Sequence, residues 1–321
     1  MKRVPSPLFL VGALALCFGL NAMTGRFNAY YVDVALNIGI AIVMAVSLNL
    51  INGYTGQFSL GHAGFMAVGA YGAAAVSLFA GPKLLVTFKF LGESGSHAVV
   101  FFLALLTGGV IAAIAGFAFG APSLKLKGDY LAIVTLGFGE IISVIFRNVH
   151  KLGGALGLTG IPNETTLFWT FGAAAVTIYV VLAMVHSTYG RGFIAVHDDE
   201  VAAQAMGINT TRYKVIAFVI GAFFAGVGGG LFGHSKMSIT PTGFGFMLSI
   251  EYVVMVILGG MGNTMGVIIA AILLTLLPEV LRGLAEYRMI IYSLLLIVLM
   301  LTRPQGLFNF RNPWKRQRKA A

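Results

Sequence analysis

Long apolar runs separated by short polar or glycine-rich stretches set the pattern of this chain. A run of about 20 apolar residues is enough for a helix to cross a bilayer. Runs of that kind fall at 8–24, 31–51, 62–81, 98–121, 130–149, 167–187 and 212–234. The segment 248–281 is too long to cross once at roughly 1.5 Å per residue. It is interrupted by "GGMGNTMG" (259–266) and reads as two short spans, 248–262 and 266–282. A last run, 289–302, ends at Arg303 and Pro304. The expectation is an all-α, polytopic helical membrane protein with about ten spans (eight to ten), forming one transmembrane domain over 1–321. Helix breaks are expected near 52–62 and 259–266. A β-barrel is disfavoured, because its strands would alternate apolar and polar positions, whereas these runs are continuous.

One stretch departs from the pattern. "RGFIAVHDDEVAAQAMGIN" (191–209) puts Asp198, Asp199 and Glu200 in a row between two apolar segments. It predicts a short helix over 198–206, with Asp198 as N-cap and Asp199 and Glu200 at the positive end of the helix dipole. Val201, Ala202, Ala205 and Met206 share one face at helical spacing. Gly207 follows where a C-cap glycine belongs. Such a helix needs something to cover its small apolar face.

Composition supports the membrane reading. The chain has 321 residues, is 58% hydrophobic and 10% charged, and carries a net charge of +10; its mean hydropathy is +0.90. Its basic residues are scattered between apolar runs except in "RNPWKRQRK" (311–319). The segment 303–321 therefore reads as a basic cytoplasmic tail near anionic lipid, not as a nucleic-acid surface. Cys17 is the one cysteine, so neither an internal disulfide nor a cysteine metal site is expected. The N-terminus has the look of a signal peptide, but a retained first span suits a chain with many later spans. With the N-terminus inside, 122–128, 188–211 and 303–321 face the cytoplasm, and the excess of Lys and Arg falls on that side.

The chemistry-bearing residues point to transport rather than catalysis. The ATP-binding pattern G-x-x-x-x-G-K-[ST] is absent. "GGGLFG" (228–233) lies inside an apolar span with no strand before it, so Gly226 and Gly230 read as a surface for close helix packing. Ser59 and His62 lack the glycine context of a serine-nucleophile turn, H-E-x-x-H is missing, and no cofactor or metal site is expected. Glu140, mid-span in "TLGFGEIISV", is costly in hydrocarbon at roughly 2.5–3.5 kcal/mol and has either a pathway role or a packing role facing the bundle. Glu251 is close enough to a span end to reach water. "QFSLGHAG" (57–64) offers Gln57, Ser59, His62 and free amides at a helix start. Together with Gly259, Gly260 and Asn263 of the second break it makes a candidate solute pathway. Tight packing by glycine is the competing reading. No basic side chain converges there, which disfavours a strongly anionic solute.

At this level of detail the sequence resembles a known family. "SLNLINGYTGQFSLGHAGFMAVGAYGAA" (47–74), "GDYLAIVTLGFGEI" (128–141), "GGALGLTGIP" (153–162), "RGFIAVHDDEVAAQAMGIN" (191–209) and "EYVVMVILGGMGNTMG" (251–266) are similar, in order, to permease subunits of bacterial branched-chain amino acid ATP-binding-cassette importers, the M-type in particular. The resemblance implies that 191–209 is a cytoplasmic coupling loop, with Asp198, Asp199, Glu200, Ala202, Ala203 and Gly207 docking on an ATPase subunit. It implies as partners a homologous second permease, two ATP-binding subunits and a periplasmic solute-binding protein. The outer loops 82–97, 150–166 and 235–247 would meet that binding protein, with Gly153, Gly154, Leu156 and Thr159 as candidate contacts. Leu156 departs from the family, which often has Asn there. Urea or short-amide importers have similar permeases, and a stand-alone channel or secondary carrier with Glu140 as proton site is a further alternative. The expected location is the inner membrane, with both termini cytoplasmic.

Overall fold

The computed structural model describes residues 7–22, 24, 28–124, 129–284 and positions 287, 290, 291, 293, 294, 297 and 298. The basic tail 303–321 and Lys2, Arg3, Lys125 and Lys127, expected on the cytoplasmic side, lie outside the described residues, as does most of the expected span 289–302. Twelve α-helices make up most of the rest. In chain order they are α1 (Pro7–Ala22), α2 (Ala29–Asn49), α3 (His62–Ala75), α4 (Gly81–Thr87), α5 (Glu93–Ser123) and α6 (Asp129–Asn148). There follow α7 (Leu167–His186), α8 (Thr188–Asp198), α9 (Glu200–Ala205), α10 (Thr210–Lys236), α11 (Phe246–Gly259) and α12 (Thr264–Val280).

Among the described residues seven helical segments are long and apolar enough to cross a membrane: Ala29–Tyr54, His62–Thr87, Glu93–Ser123, Tyr130–Asn148, Leu167–His186, Thr210–Lys236 and Pro241–Gly259. Leu10–Gly19 and Thr264–Val280 are shorter apolar helices. The polytopic helical class is as expected; the described residues hold these seven full-length segments and two shorter apolar helices, and most of the expected last span lies outside them. Two boundaries move for identifiable reasons. Helix α2 does not stop at Ile51 but continues through a wider π-helical turn, Leu50–Tyr54, so the first break is confined to 55–61. At the second break the Asn263 side chain accepts from the Gly266 N–H and starts α12 at Thr264, leaving only 260–263 irregular.

Helix α10 is the axis of the bundle, enclosed by α2, α3 and α5. Its glycine run makes that possible. A side chain at Gly229 would place its Cβ 1.9 Å from the Met66 carbonyl oxygen, and one at Gly69 would sit 2.1 Å from the Gly226 Cα. Gly226 is thus a packing surface, as its sequence context suggested; Gly230 packs likewise against Leu105 and Ala73. At these contacts backbone meets backbone, the arrangement by which small residues bring membrane helices together. At one end of the bundle Asp33 of α2 accepts from the Lys236 ammonium of α10 at 2.8 and 3.0 Å. There a two-stranded ribbon, β1 (Leu158–Thr159) with β2 (Ser238–Ile239), pairs Leu158 with Ile239 and Thr159 with Ser238, antiparallel. The opposite end carries α8 and α9.

Gly229→Val should therefore be lost from the folded pool. The clash is with backbone, so the cost should reach or exceed the roughly 1–3 kcal/mol usual for overpacking. Gly12→Ala, with nothing near its added methyl, should leave the melting temperature in detergent unchanged or slightly raised. Fluorescence-detected size exclusion with a thermal ramp measures both.

Candidate functional site

The short helix forms where the sequence places it, with one correction. Helix α8 runs on to Asp198, because the Asp199 N–H still reaches the Ala195 carbonyl at 3.2 Å. The chain then turns extended at Asp199, whose Oδ1 accepts from the N–H groups of Val201 and Ala202 at 2.9 and 3.0 Å. Asp199, not Asp198, is the N-cap; Asp198 lies beside His197 instead, 3.2 Å from its Nδ1. At the far end Gly207 takes a left-handed φ of +81°. Its N–H bonds Gln204, and the Ile208 N–H bonds the Ala203 carbonyl at 3.0 Å, closing a Schellman-type cap.

Helix α9 has two faces. Ala203 is buried against the protein, whereas Val201, Ala202, Ala205 and Met206 are all exposed, Val201 at 66% and Met206 at 82%. The apolar face read from the sequence thus has no cover among the described residues. Glu200 does not join it. Its carboxylate turns inward to the Lys214 ammonium at 2.7 Å and accepts from the Thr210 hydroxyl at 3.3 Å. The Gln204 amide donates to that same hydroxyl at 2.9 Å. Lys214 is a lysine one turn inside α10 and is only 8% exposed, so the ion pair supplies its countercharge.

The same end of the bundle holds the first break. Burial alternates along 55–60: Thr55, Gln57 and Ser59 are buried, and Gly56 and Phe58 are exposed, with Leu60 half-exposed. The inward groups knit the segment to its neighbours. The Asn52 side chain accepts from the Ser59 N–H at 3.2 Å and donates to its carbonyl at 3.4 Å. The Thr55 hydroxyl donates to the Ile51 carbonyl at 2.7 Å, and the Gln57 amide donates to Thr55 at 2.8 Å and to the Lys214 carbonyl at 3.5 Å. The Thr135 hydroxyl of α6 accepts from the Leu60 N–H at 3.0 Å. His62, fully buried at the start of α3, lies 2.9 Å from Ser47 through Nε2. Ser47 gives its single proton to the Met44 carbonyl, so the imidazole is the donor in that pair.

Four polar atoms of this region, Asn49 Nδ2, Gln57 Oε1, Ser59 Oγ and His62 Nδ1, are buried without a hydrogen-bond partner among the described residues. Gln57, Ser59 and His62 are therefore buried supports of the break, while Gly56 and Phe58 are its outward face and Leu60 packs partly against the core. The sequence reading missed that division, although the alternation in "TGQFSL" (55–60) carried the signal. It also missed Lys214, whose position just inside an apolar span was the clue.

The two breaks touch. Asn49 Oδ1 accepts from the Gly262 N–H at 2.9 Å, and the Tyr54 and Thr264 hydroxyls are 2.8 Å apart. Gly53 abuts the Gly262 nitrogen, where an added Cβ would sit at 2.3 Å, and Gly259 lies directly on Val267. Gly260 is the left-handed hinge of the turn, at φ +91°. The structure thus brings Gln57, Ser59, His62, Gly259, Gly260 and Asn263 into one region. Glu140 stands apart, exposed on α6. At the other end, Gly153 and Gly154 adopt positive φ in a tight loop, Leu156 is 88% exposed, and Thr159 lies in the ribbon.

A bundle with seven helical segments long and apolar enough to cross a membrane is that of a multi-pass membrane protein. The family model described as "Branched-chain amino acid transport system / permease component" matches residues 30–301, and the chain belongs to that family. It is 33% identical to the high-affinity branched-chain amino acid transport system permease protein LivM of Escherichia coli K12, over 97% of this chain and 77% of that protein. A probable branched-chain amino acid transport permease protein LivM of Methanocaldococcus jannaschii is 23% identical over 85% of this chain and 92% of its own length. The E. coli K12 permease protein LivH is 32% identical over 140 residues, 42% of this chain and 45% of LivH. No solved structure gives a significant match.

The Glu200–Lys214 pair makes an asymmetric prediction. Glu200→Gln leaves a buried ammonium alone and should lower the melting temperature more than Lys214→Met, whose orphaned carboxylate is nearer solvent. The double variant should be more stable than Glu200→Gln alone, with a coupling energy of about 1–3 kcal/mol in a thermal double-mutant cycle.

Proposed function

We propose that the chain is one permease subunit of an ATP-binding-cassette importer that carries leucine, isoleucine and valine into the cytoplasm. The observation that carries this reading is the uncovered apolar face of α9, tied by Glu200–Lys214 to the helix that abuts the first break. A capped amphipathic helix of this kind fits a groove on a partner, and an ATPase subunit is that partner in this reading. The relatives' transport of branched-chain amino acids supports the cargo. So does the exposed Phe58 of segment 55–61, with half-exposed Leu60 near it, because both suit an aliphatic side chain.

In this mechanism the chain makes and breaks no covalent bond. ATP binding and hydrolysis on two partner subunits shift α8 and α9. Two contacts pass the shift inward. His197 of α8 lies against Gly56, within 3.1 Å of the Cβ position there, and Lys214 joins Glu200 through its ammonium and Gln57 through its carbonyl. The break then tips Phe58 and Leu60 between outward-open and inward-open arrangements, with ATPase states biasing the balance. Four polar atoms behind the segment that have no hydrogen-bond partner among the described residues favour it as the moving part, since a poorly satisfied interior is the least costly to rearrange. The α8–α9 end faces the cytoplasm of a bacterial inner membrane, with both termini on that side. A periplasmic solute-binding protein delivers cargo at the ribbon end, where Leu156 stands exposed among Gly153, Gly154 and Thr159. Nucleotide chemistry belongs to the partners, and the chain needs no cofactor of its own.

Uptake of labelled leucine and of labelled urea, in parallel, by cells lacking this gene tests the reading. Leucine uptake should fall and return with the intact gene, and urea uptake should not change. Loss of urea uptake alone would keep the importer and overturn the cargo. Met206→Asp and Gly207→Asp should restore no leucine uptake while accumulating in the membrane at normal levels. The first puts charge on the docking face, and the second strains a left-handed backbone position that has open space around it. Full activity of both would remove α9 as the coupling element.

A further inference from the structure

A cavity of about 490 Å³ opens at the α8–α9 end of the bundle, in the corner between the first turns of α8 and α10. Among the described residues that line it, Arg212 is the cation and none is an acid. The Arg212 guanidinium makes no ion pair among the described residues. Its backbone N–H is engaged separately, by Asn209 Oδ1 at 3.0 Å. The rest of the wall is part phenol and part hydrocarbon: Tyr189, Tyr213 and Ile216.

This corner is short of negative charge. Arg212 stands in the first turn of α10, at the positive end of a helix dipole, and that turn holds no acid. Lys214, next along the same helix start, is met by Glu200 at 2.7 Å; Arg212 has no such counterpart among the described residues. Helix α8 also starts with neither an acid nor a side-chain cap, which adds to the positive potential. The wall is firmly built. Gly192 of α8 leaves room for the Tyr213 ring, since an added Cβ there would lie 2.3 Å from it, and Phe193 meets that ring edge-on at 5.7 Å. The Tyr189 ring lies 6.2 Å from it.

We propose that this cavity binds the phosphodiester headgroup of an anionic membrane lipid, with Arg212 holding the phosphate. A guanidinium beside hydroxyl donors suits phosphate oxygens. The position of the cavity names the source. The apolar segments Leu167–His186 and Thr210–Lys236 end and begin beside it, so it lies at the level where headgroups start. Tyrosine is favoured at that level, and Ile216, inside α10, offers the first acyl carbons an apolar wall. Free phosphate would use Arg212 but gain nothing from Ile216. Basic pockets between membrane helices on a cytoplasmic side take anionic headgroups by this chemistry; for the facing of this end the proposal rests on the importer reading. Gly207 and Ile208, which close α9, line the same cavity, so a bound headgroup braces the turn behind the docking face.

The test is native mass spectrometry of the complete importer, stripped of lipid in detergent and titrated with dioleoyl phosphatidylglycerol, dioleoyl phosphatidylcholine or inorganic phosphate. Phosphatidylglycerol should bind in preference to the zwitterionic lipid. Its apparent affinity should fall about tenfold in Arg212→Gln, the loss expected for a hydrogen bond to a charged group. Arg212→Lys, which keeps the charge, should recover most of it. Arg191→Gln removes an equal charge from an exposed site of α8 outside the cavity and should change nothing. Equal lipid binding by Arg212→Gln and the unsubstituted importer, or an equal loss in Arg191→Gln, overturns the proposal. So does displacement of the lipid by inorganic phosphate, which would make free phosphate the ligand. An ATPase carboxylate is the competing occupant; loosening of the ATPase by Arg212→Gln with no change in bound lipid would assign the cavity to it. Leucine uptake separates the two claims. If uptake needs this chain and Arg212→Gln binds phosphatidylglycerol normally, the site is wrong and the importer reading stands. If uptake does not need the chain, the importer reading falls whatever the lipid result.

Discussion

A helix that stops inside a membrane must find new partners for its backbone, because lipid offers none. Everything at the working end of this protein follows from how that requirement is met between Thr55 and Gly61. The Asn52 side chain takes both backbone groups of Ser59, and Thr135 on α6 takes the N–H of Leu60. The second break closes on the first through Asn49 and Gly262. These bonds hold the segment so that burial alternates along it, with Thr55, Gln57 and Ser59 buried and Gly56 and Phe58 exposed. The polar ones turn in to hold the segment, and Gly56 and Phe58 are left facing out.

That arrangement places the break within reach of the end helices. Lys214 is the junction: its ammonium holds Glu200 of α9, and its carbonyl receives Gln57. A largely buried lysine is an expensive residue unless its charge is met, so α9 cannot move far without either carrying Lys214 with it or losing the pair. The linkage is short, made of a few named contacts between helices, and among the described residues it joins a face without cover to a segment that is incompletely satisfied. In the proposed mechanism those are the two ends of a device that converts an outside push into an inside rearrangement.

Much of this was legible beforehand. The runs of apolar residues gave the helices, and the glycine-rich stretches gave both breaks to within a few residues. The capped helix at 200–205 was visible because local chemistry alone, an aspartate before it and a glycine after it, defines such an element. Local chemistry did not separate Asp198 from Asp199, since either can cap; the choice was made by α8, which ends one residue later than the acidic run suggests. Gln57, Ser59 and His62 drew attention as polar groups at a helix start, but polarity does not tell whether a side chain faces a pathway or holds one in place. Their direction depends on Asn52, Lys214 and Thr135, which come from three other elements. For the same reason Glu140 could be placed at mid-span but not on a face, because the packing of α6 against α3 decides which way it points.

The central claim is that the motion of α9 reaches the break. It is tested most directly by the reactivity of Phe58→Cys, in a Cys17→Ser background, within the assembled importer in membrane vesicles. The rate of labelling by a water-soluble maleimide would be compared without nucleotide and with a non-hydrolysable ATP analogue. The account predicts that nucleotide changes the rate at Phe58→Cys and that the change disappears when Lys214→Met is added. Equal rates with and without nucleotide, in an importer that still transports leucine, would contradict it.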